Sequence, residues 1–582
     1  MGTPPPGQNG TIDVKPTDLH RVSGGMASHQ TMMDRGAKSL LEDLRTYPDA
    51  GGYGTSPQSF AKSYVKVGNR FLEVWAKSVV SIGGAAVGFT STANAYAKAE
   101  AANDPTGKAK PVVQPLPKVI DKPPAYGSVP NLKWGDDDGG DDFIRRLLEW
   151  VPGPVRDVLR PVVEHAFRMG KVADVYPFPQ QHYLNSLSQA WGTNTTGTLS
   201  TVESGLSGNV SSITQQTNSE WHDAMRQFCS SLWGTTSWGR SRLNYEWKHD
   251  SSSSQTATHP VMTVLFDTAR KVSDLLGEFA EAAVYVNGEV WDVYIQAVRD
   301  AIPKVEVNLK DGVGVDDVKG LVKGLVKGVA KGASQLGQGI VLNMDTAKLN
   351  SIVSEYNRRV DALVPKLDAL IPPLDEAFLS APKFEAQEAR AEGFGMRALE
   401  DFKDSQVWLK VDSAGKYDLN LAANEYTEGG HSLDRHVGKT DEQLAQRLRD
   451  QPKNPNQGPT PAWPHEKPFP PAASSFPNYQ RAEELTEYTL NQNQAEIEAW
   501  IKGPPPPPDG DVEKFSATLP PGETSGRSVF KQPVDPSDPL SGYKEGGLNA
   551  KAYDVNGVDT RLRYDSSRNP PFTVMTSMPY RP

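Results

Sequence analysis

Cysteine is nearly absent: Cys229 is the only one in 582 residues. A single thiol excludes an intrachain disulfide framework and any cysteine-based zinc site. An exported form of this chain must therefore be stable without disulfides. The opening residues 1–20 are polar and rich in Pro and Gly, with no apolar stretch after positive charge, so no secretory signal peptide is expected. Nor does any uncharged apolar run reach the ~18 residues of a membrane helix; the nearest, 79–89, is short and broken by glycines. No stable membrane insertion is expected. An excess of positive charge is missing too. The formal charge of −10 offers no general attraction to nucleic acid or anionic lipid, so RNA would need a local basic patch.

Low apolar content with abundant Gly and Pro points to globular modules joined by open linkers, too long together for one core. Residues 1–29 read as a disordered leader. From about Thr31, Met33, Leu40, Leu41 and Leu44 fall at helical spacing until Tyr47-Pro48. After a glycine-rich turn at 49–55, Phe60, Tyr64, Val67, Phe71, Val74 and Trp75 open a second helix, giving a helical hairpin over 30–104. Residues 105–141 read as a Pro/Gly-rich linker and 142–300 as a second helical module with an aromatic turn, Trp233 to Gly239. Glycine and lysine recur every fourth residue between Gly320 and Gly332, within a linker at 301–344. A membrane-active helix or a flexible joint both fit that repeat. A helical stalk at 345–405 and a linker at 406–428 complete this part, in which no catalytic constellation stands out.

The final stretch, 429–582, differs in kind. Thr440 followed by Gln443 is a capping box, so a helix should run over 441–449, and a second suits 482–501. Strand-like runs follow at 526–530, 548–555, 558–564 and 572–578, with Asn556-Gly557 predicting a hairpin. The fold class expected is multidomain: all-α N-terminal and middle regions with an α+β C-terminal domain. His431 and His436 lie just before a helix carrying Arg447, in a chain with ten histidines. Two imidazoles and a guanidinium suit RNA cleavage through the 2′-hydroxyl, which needs a base, an acid and a cation for the charged phosphorane. A pair of loop histidines beside a helix start fits the same residues. A metal nuclease using His431, His436 and Asp434 lacks a second carboxylate–histidine cluster.

The run from Gly429-Gly430-His431 through His436-Val437-Gly438-Lys439-Thr440 to Leu444–Leu448 resembles the start of the ribonuclease A-like toxin domains that end bacterial contact-dependent-inhibition and other polymorphic toxins. Agreement continues at Ser474-Ser475-Phe476, Ala482, Trp500, Ser525-Gly526-Arg527 and Thr576-Ser577-Met578-Pro579. The resemblance implies a metal-independent endoribonuclease without cofactor, with tRNA as the expected target class. It implies catalytic roles for His436, Arg447 and Thr576, with His431 as second proton carrier or loop-setting residue. Met578 stands where the family has tyrosine; Tyr580, two residues on, is the candidate substitute. Lys439 and Arg527 are candidate phosphate contacts. A cognate immunity protein is the implied partner. The N-terminal hairpin is similar to the WXG-type substrates of type VII secretion, although its turn carries Tyr53 instead of Trp. Tyr96 and Glu100 match the Y-x-x-x-D/E signal of that group, as Tyr285 and Glu289 also do. This implies signal-peptide-independent secretion, type VII machinery or a WXG-type partner, and action in a target-cell cytoplasm. The competing reading is a non-enzymatic secreted effector or adhesin with an inactive ribonuclease-like tail.

Overall fold

The structure is a computed structural model and describes residues 14–102, 104–132, 177, 179–213, 261–301, 343–400, 409–425, 427–450, 472–530 and 551–582. The aromatic turn at Trp233–Gly239 and the Gly320–Gly332 repeat lie outside the described residues.

Helix α1 (Pro16–Thr46) begins well before the expected start near Thr31, so residues 16–29 are not a disordered leader. Pro16 supplies a preset helical φ at the first turn, and the Asp18 carboxylate accepts the Lys15 amide hydrogen at 3.1 Å. The buried stripe runs Leu19, Val22, Met26, Met33, Ala37, Leu40 and Leu44. Its polar members hid it from sequence patterning: Ser23 Oγ donates to Ala86 O and Gln30 Nε2 to Val79 O. Their hydrogen bonds remove the cost of burying them.

Gly52 and Gly54, both at positive φ, make the turn to α2 (Thr55–Ala102), completing the expected hairpin. Helix α2 is long and apolar enough to cross a bilayer, but 89% of that apolar window is buried within the fold. Trp75 Nε1 donates to Met33 O across the hairpin. Residues 104–132, expected as linker, run as an extended strap fastened to the helices. The Gln30 side chain both donates to and accepts from the Ile120 backbone, and Asn69 Oδ1 accepts from Val129 N.

Further helices close the bundle: α3 (Gln181–Gln189), a π turn at Ala190–Asn194, α4 (Thr195–Ser211) and α5 (Val261–Ala301). Buried Trp191 in that turn donates to Tyr64 Oη at 2.9 Å. Then come α6 (Thr346–Asp361), α7 (Val364–Asp368), α8 (Ile371–Ser380) and α9 (Phe384–Glu400). Gly84 and Gly88 of α2 face the backbone of Phe384 and Glu388, so α9 lies directly against α2 with no side chain between.

Among the described residues antiparallel strands are confined to the C-terminal region, the rest being mostly helical. There β1 (Leu409–Val411) and β2 (Tyr417–Leu419) form a hairpin, followed by α10 (Leu421–Asn424) and a 3₁₀ turn at Thr427–Gly429. These residues pack into the region, unlike the linker expected at 406–428. After them come α11 (Ser432–His436), α12 (Asp441–Asp450), β3 (Ala472–Ser475), α13 (Tyr479–Gln492) and α14 (Gln494–Lys502). The last strands are β4 (Val512–Thr518), β5 (Gly526–Phe530), β6 (Tyr553–Val555), β7 (Gly557–Tyr564) and β8 (Phe572–Tyr580). The helix expected over 482–501 is thus two helices meeting at Asn493.

Two three-stranded sheets result, β3-β5-β6 and β4-β7-β8. The Asn556-Gly557 hairpin does not form. Val555 pairs with Gly526 in one sheet, while Gly557 pairs with Thr518 and Tyr580 in the other. The chain passes from sheet to sheet at Asn556, a corner rather than a reversal, because β4, β5 and β8 already supply the partners. One contiguous apolar core extends from Val14 through α2, α5 and α9 into Leu433, Val437, Phe476, Leu562 and Val574. A smaller cluster of Leu444, Ala445, Leu448, Ala473, Val529 and Ala552 lies under α12.

Candidate active site

The site is built around α11, a single helical turn fixed at both ends. At its start the buried Glu425 carboxylate accepts the amides of Leu433 and Asp434 at 2.9 and 2.8 Å. At its end Gly438, with φ of 63°, turns the chain away as L-residues rarely can. Phe476 N then donates to His436 O and Gly438 N to Phe476 O, stitching the loop beside β3. Strand β8 holds the other flank, where His431 N donates to Met575 O at 3.2 Å and Ser577 N to Ser432 Oγ at 2.9 Å.

His431 and His436 are thereby brought together, with ring centres 6.3 Å apart. His436 is 1% exposed. Its Nδ1 lies 3.0 Å from Ser474 O, and His431 Nδ1 lies 2.7 Å from Gly429 O. A carbonyl oxygen can only accept, so each Nδ1 carries the hydrogen and each Nε2 keeps a basic lone pair. Both imidazoles are held well below the usual histidine range. Burial is the main cause, followed by Arg447 for His436 and by Arg435 for His431. Both therefore favour the neutral form, with the Nε2 lone pair available.

The expected capping box is present, with Gln443 N donating to Thr440 Oγ1 and Thr440 N to Gln443 Oε1, each at 3.0 Å. It starts α12, which carries Arg447, 7% exposed and near enough to act electrostatically on both imidazoles and on Lys439. Lys439 is 5% exposed, anchored through its amide to Ser475 Oγ, and held well below the usual lysine range by burial and by Arg390 of α9.

Thr576 lies at a bulge in β8, next to Met575, whose carbonyl accepts from His431 N. Arg561 pairs with Thr576 but the next residue, Leu562, pairs with Val574, leaving Met575 extra. The added residue keeps Val574 and Ser577 on the core face while Thr576 points to the opposite one. Its Oγ1, on a residue 4% exposed, has no hydrogen-bond partner among the described residues.

The remaining sequence candidates fall elsewhere. Tyr580 stands two side-chain positions beyond Thr576, about 13 Å along the strand. Its ring lies over Gly557 and 5.1 Å from Lys514 Nζ. Met578, not Tyr580, is next to Thr576 on that face. Arg527 is a strut between β5 and α12, bonded to Asp441 at 2.9 Å and Ala552 O at 3.2 Å. Tyr96 is buried near the end of α2, whereas Glu100 is exposed.

Sequence reasoning missed Arg561. It lies across from Thr576 and contributes to lowering His431. Its signal was the alternation Asp559, Arg561, Arg563, which places three charges on one face of β7. Lys514 on β4 joins that face, 3.2 Å from Asp559, and Arg563 Nη1 donates to Glu428 O. On this face three cations stand beside one carboxylate, Asp559, which also lies 3.7 Å from Arg561. Among the described residues no group of three His, Cys, Asp or Glu side chains is placed to hold a metal ion.

No protein-family model matches this chain, and no curated protein matches it. A solved structure, the CdiA-CT/CdiI complex from Y. kristensenii, aligns with 26% of this chain and 99% of that chain at 22% identity, with a TM-score of 0.18. A likeness of that size supports no conclusion about fold or function.

Proposed function

We propose that the C-terminal region is a metal-independent endoribonuclease of ribonuclease A-like type that cleaves RNA, with tRNA as target class, through the 2′-hydroxyl. The observation that carries this reading is the pair of Nδ1-anchored imidazoles 6.3 Å apart, with Arg447 acting on both. One neutral Nε2 takes the proton of the 2′-hydroxyl as its oxygen attacks phosphorus. The P–O5′ bond breaks, and the leaving oxygen takes a proton from the other imidazole, charged once an RNA phosphate sits beside it. Arg447 offers two N–H donors to the phosphorane, Thr576 Oγ1 a neutral hydrogen bond, and Arg561 charge along the adjacent phosphates. A 2′,3′-cyclic phosphate is the product.

The wider context in this proposal is a secreted interbacterial toxin. It would be exported by a type VII route with a WXG-type partner or the machinery itself, and neutralised by a cognate immunity protein. Its support is the α1–α2 hairpin and the Tyr96–Glu100 spacing. Because Tyr96 belongs to the core, a Tyr96→Ala change confuses export with folding. Glu100→Ala is the clean test, and undiminished export of that variant removes this reading of the signal.

The experiment on activity uses residues 409–582, since Glu425 and the β1–β2 hairpin are integral to the site region. Total RNA should be cut to 2′,3′-cyclic ends in EDTA while DNA is spared. His436→Ala should lower the rate about a hundred- to ten-thousand-fold, and Arg447→Ala about a hundred- to thousand-fold. Full cleavage by the double variant refutes the assignment, and cleavage abolished by EDTA transfers it to a metal nuclease. A folded fragment without any cleavage leaves the non-enzymatic effector.

A further inference from the structure

His436, Lys439 and Arg447 are 1%, 5% and 7% exposed. A phosphodiester must touch an imidazole Nε2 and a guanidinium directly, and these three side chains leave it little surface, with His431 and Arg561 beside them only half-buried. The helical part of the same chain packs against the two helices that carry these groups. Arg390 of α9, fully buried, reaches Asp434 of α11 at 2.6 Å. Gly393 of α9 leaves no room for a side chain: a Cβ there would lie 3.0 Å from Glu425 Cβ and 3.3 Å from Leu433 Cδ1. On the other side, a Cβ on Gly438, two residues after His436, would lie 2.8 Å from Ala386 Cα. Helix α8 meanwhile packs against α12, the carrier of Arg447. Helix α9 is itself seated on α2 through the bare backbone at Gly84 and Gly88.

We infer that α8 and α9 are an intramolecular inhibitor, an interaction surface whose partner is the α11–α12 segment of the same chain. RNA cleavage would require their separation. This rests on the reading of His436 and Arg447 as the reacting groups. The interface is close and small-residue-lined, and it carries an Arg390–Asp434 pair that water can solvate once the faces part. The charge arrangement fits as well: in the closed state neither histidine is held protonated, so no imidazole acid is ready to serve the leaving oxygen.

The test uses the full chain and the wedge Gly393→Leu, which favours the helix but cannot fit against Glu425 and Leu433. Two readouts are taken: modification of His431 and His436 by diethyl pyrocarbonate, located by mass spectrometry, and cleavage of total RNA. Separation should raise His436 modification about tenfold or more and RNA cleavage in parallel, with the added cleavage lost in Gly393→Leu/His436→Ala. Should the wedge variant fail to fold, Arg390→Met in the full chain, which removes the pair with Asp434, gives the same comparison against the unaltered chain. Equal modification of His436 in closed and opened chains overturns the inhibitor. So does RNA cleavage by the unaltered chain as fast as by the opened one. Modification that rises without any RNA cleavage upholds the cover and sinks the ribonuclease reading instead.

Discussion

Replacing Arg390 by Met keeps the apolar stem of the side chain and removes its charge from beside Asp434, which is only 3% exposed. The pair is 2.6 Å apart, with side chains 0% and 4% exposed. Its attraction is therefore little screened, and its rupture should cost about 3–5 kcal/mol. Lys439, buried and electrostatically coupled to Asp434, softens that cost and draws the expectation toward the lower end. The whole chain need not bear the penalty. Asp434 lies on the surface that α9 covers, so the least costly relief is local parting of α9 from α11, which rehydrates the carboxylate. At ~1.4 kcal/mol per tenfold, the docking equilibrium should shift by about two orders of magnitude or more toward the open form. Native-state hydrogen exchange of the 432–448 amides should record that shift, while the urea midpoint moves less than a full global loss requires. Asp434→Asn should behave similarly, and Arg390→Met/Asp434→Asn should cost far less than the two singles added together. Single changes each worth under ~0.5 kcal/mol, or a double equal to their sum, refute the pair as the clasp of this interface.

Other substitutions test separate links. Thr440→Ala removes one half of the capping box and should lower stability by about 1 kcal/mol in urea melts, with reduced RNA cleavage because α12 positions Arg447. Glu392 has its carboxyl pushed well above 4.5 by burial, then by Glu388 and Glu483. The folded state thus favours its protonated form, a contribution complete below pH 4.5 and lost as pH rises through the raised value. Glu392→Gln should therefore lessen the fall in Tm between acid and pH 8, and an unchanged pH profile counts against this account. His436 has the opposite sign: its contribution is complete above pH 6.5 and lost as pH falls. In the opened protein Met578→Tyr should raise RNA cleavage while Tyr580→Phe leaves it unchanged. Loss of activity on Tyr580→Phe would mean that the terminal tyrosine reaches the site after all.

Local signals were legible in the sequence where the cause was local. The Thr440–Gln443 box, the glycine-rich turn between α1 and α2, the strand at Gly526–Phe530 and the closing strand from Phe572 each depend on residues within a few positions of one another. So does the proximity of His431 and His436, since one helical turn separates them. Three features depended on partners far along the chain. The start of α1 was hidden because Ser23 and Gln30 are buried only when Ala86 and Val79 supply acceptors. Asn556-Gly557 has the chemistry of a hairpin, yet β5 claims Val555 on one flank while β4 and β8 claim Gly557 on the other. Arg561 became a site residue only through its register with Thr576. The largest difference is the boundary itself. Composition separates the last 150-odd residues from the helices, because composition records what each segment is made of. Packing joins them, because Gly393, Gly438 and the Arg390–Asp434 pair acquire their meaning only when two surfaces meet. The sequence by itself determined which groups stand near one another along the chain; the tertiary structure alone decided how deeply they are buried.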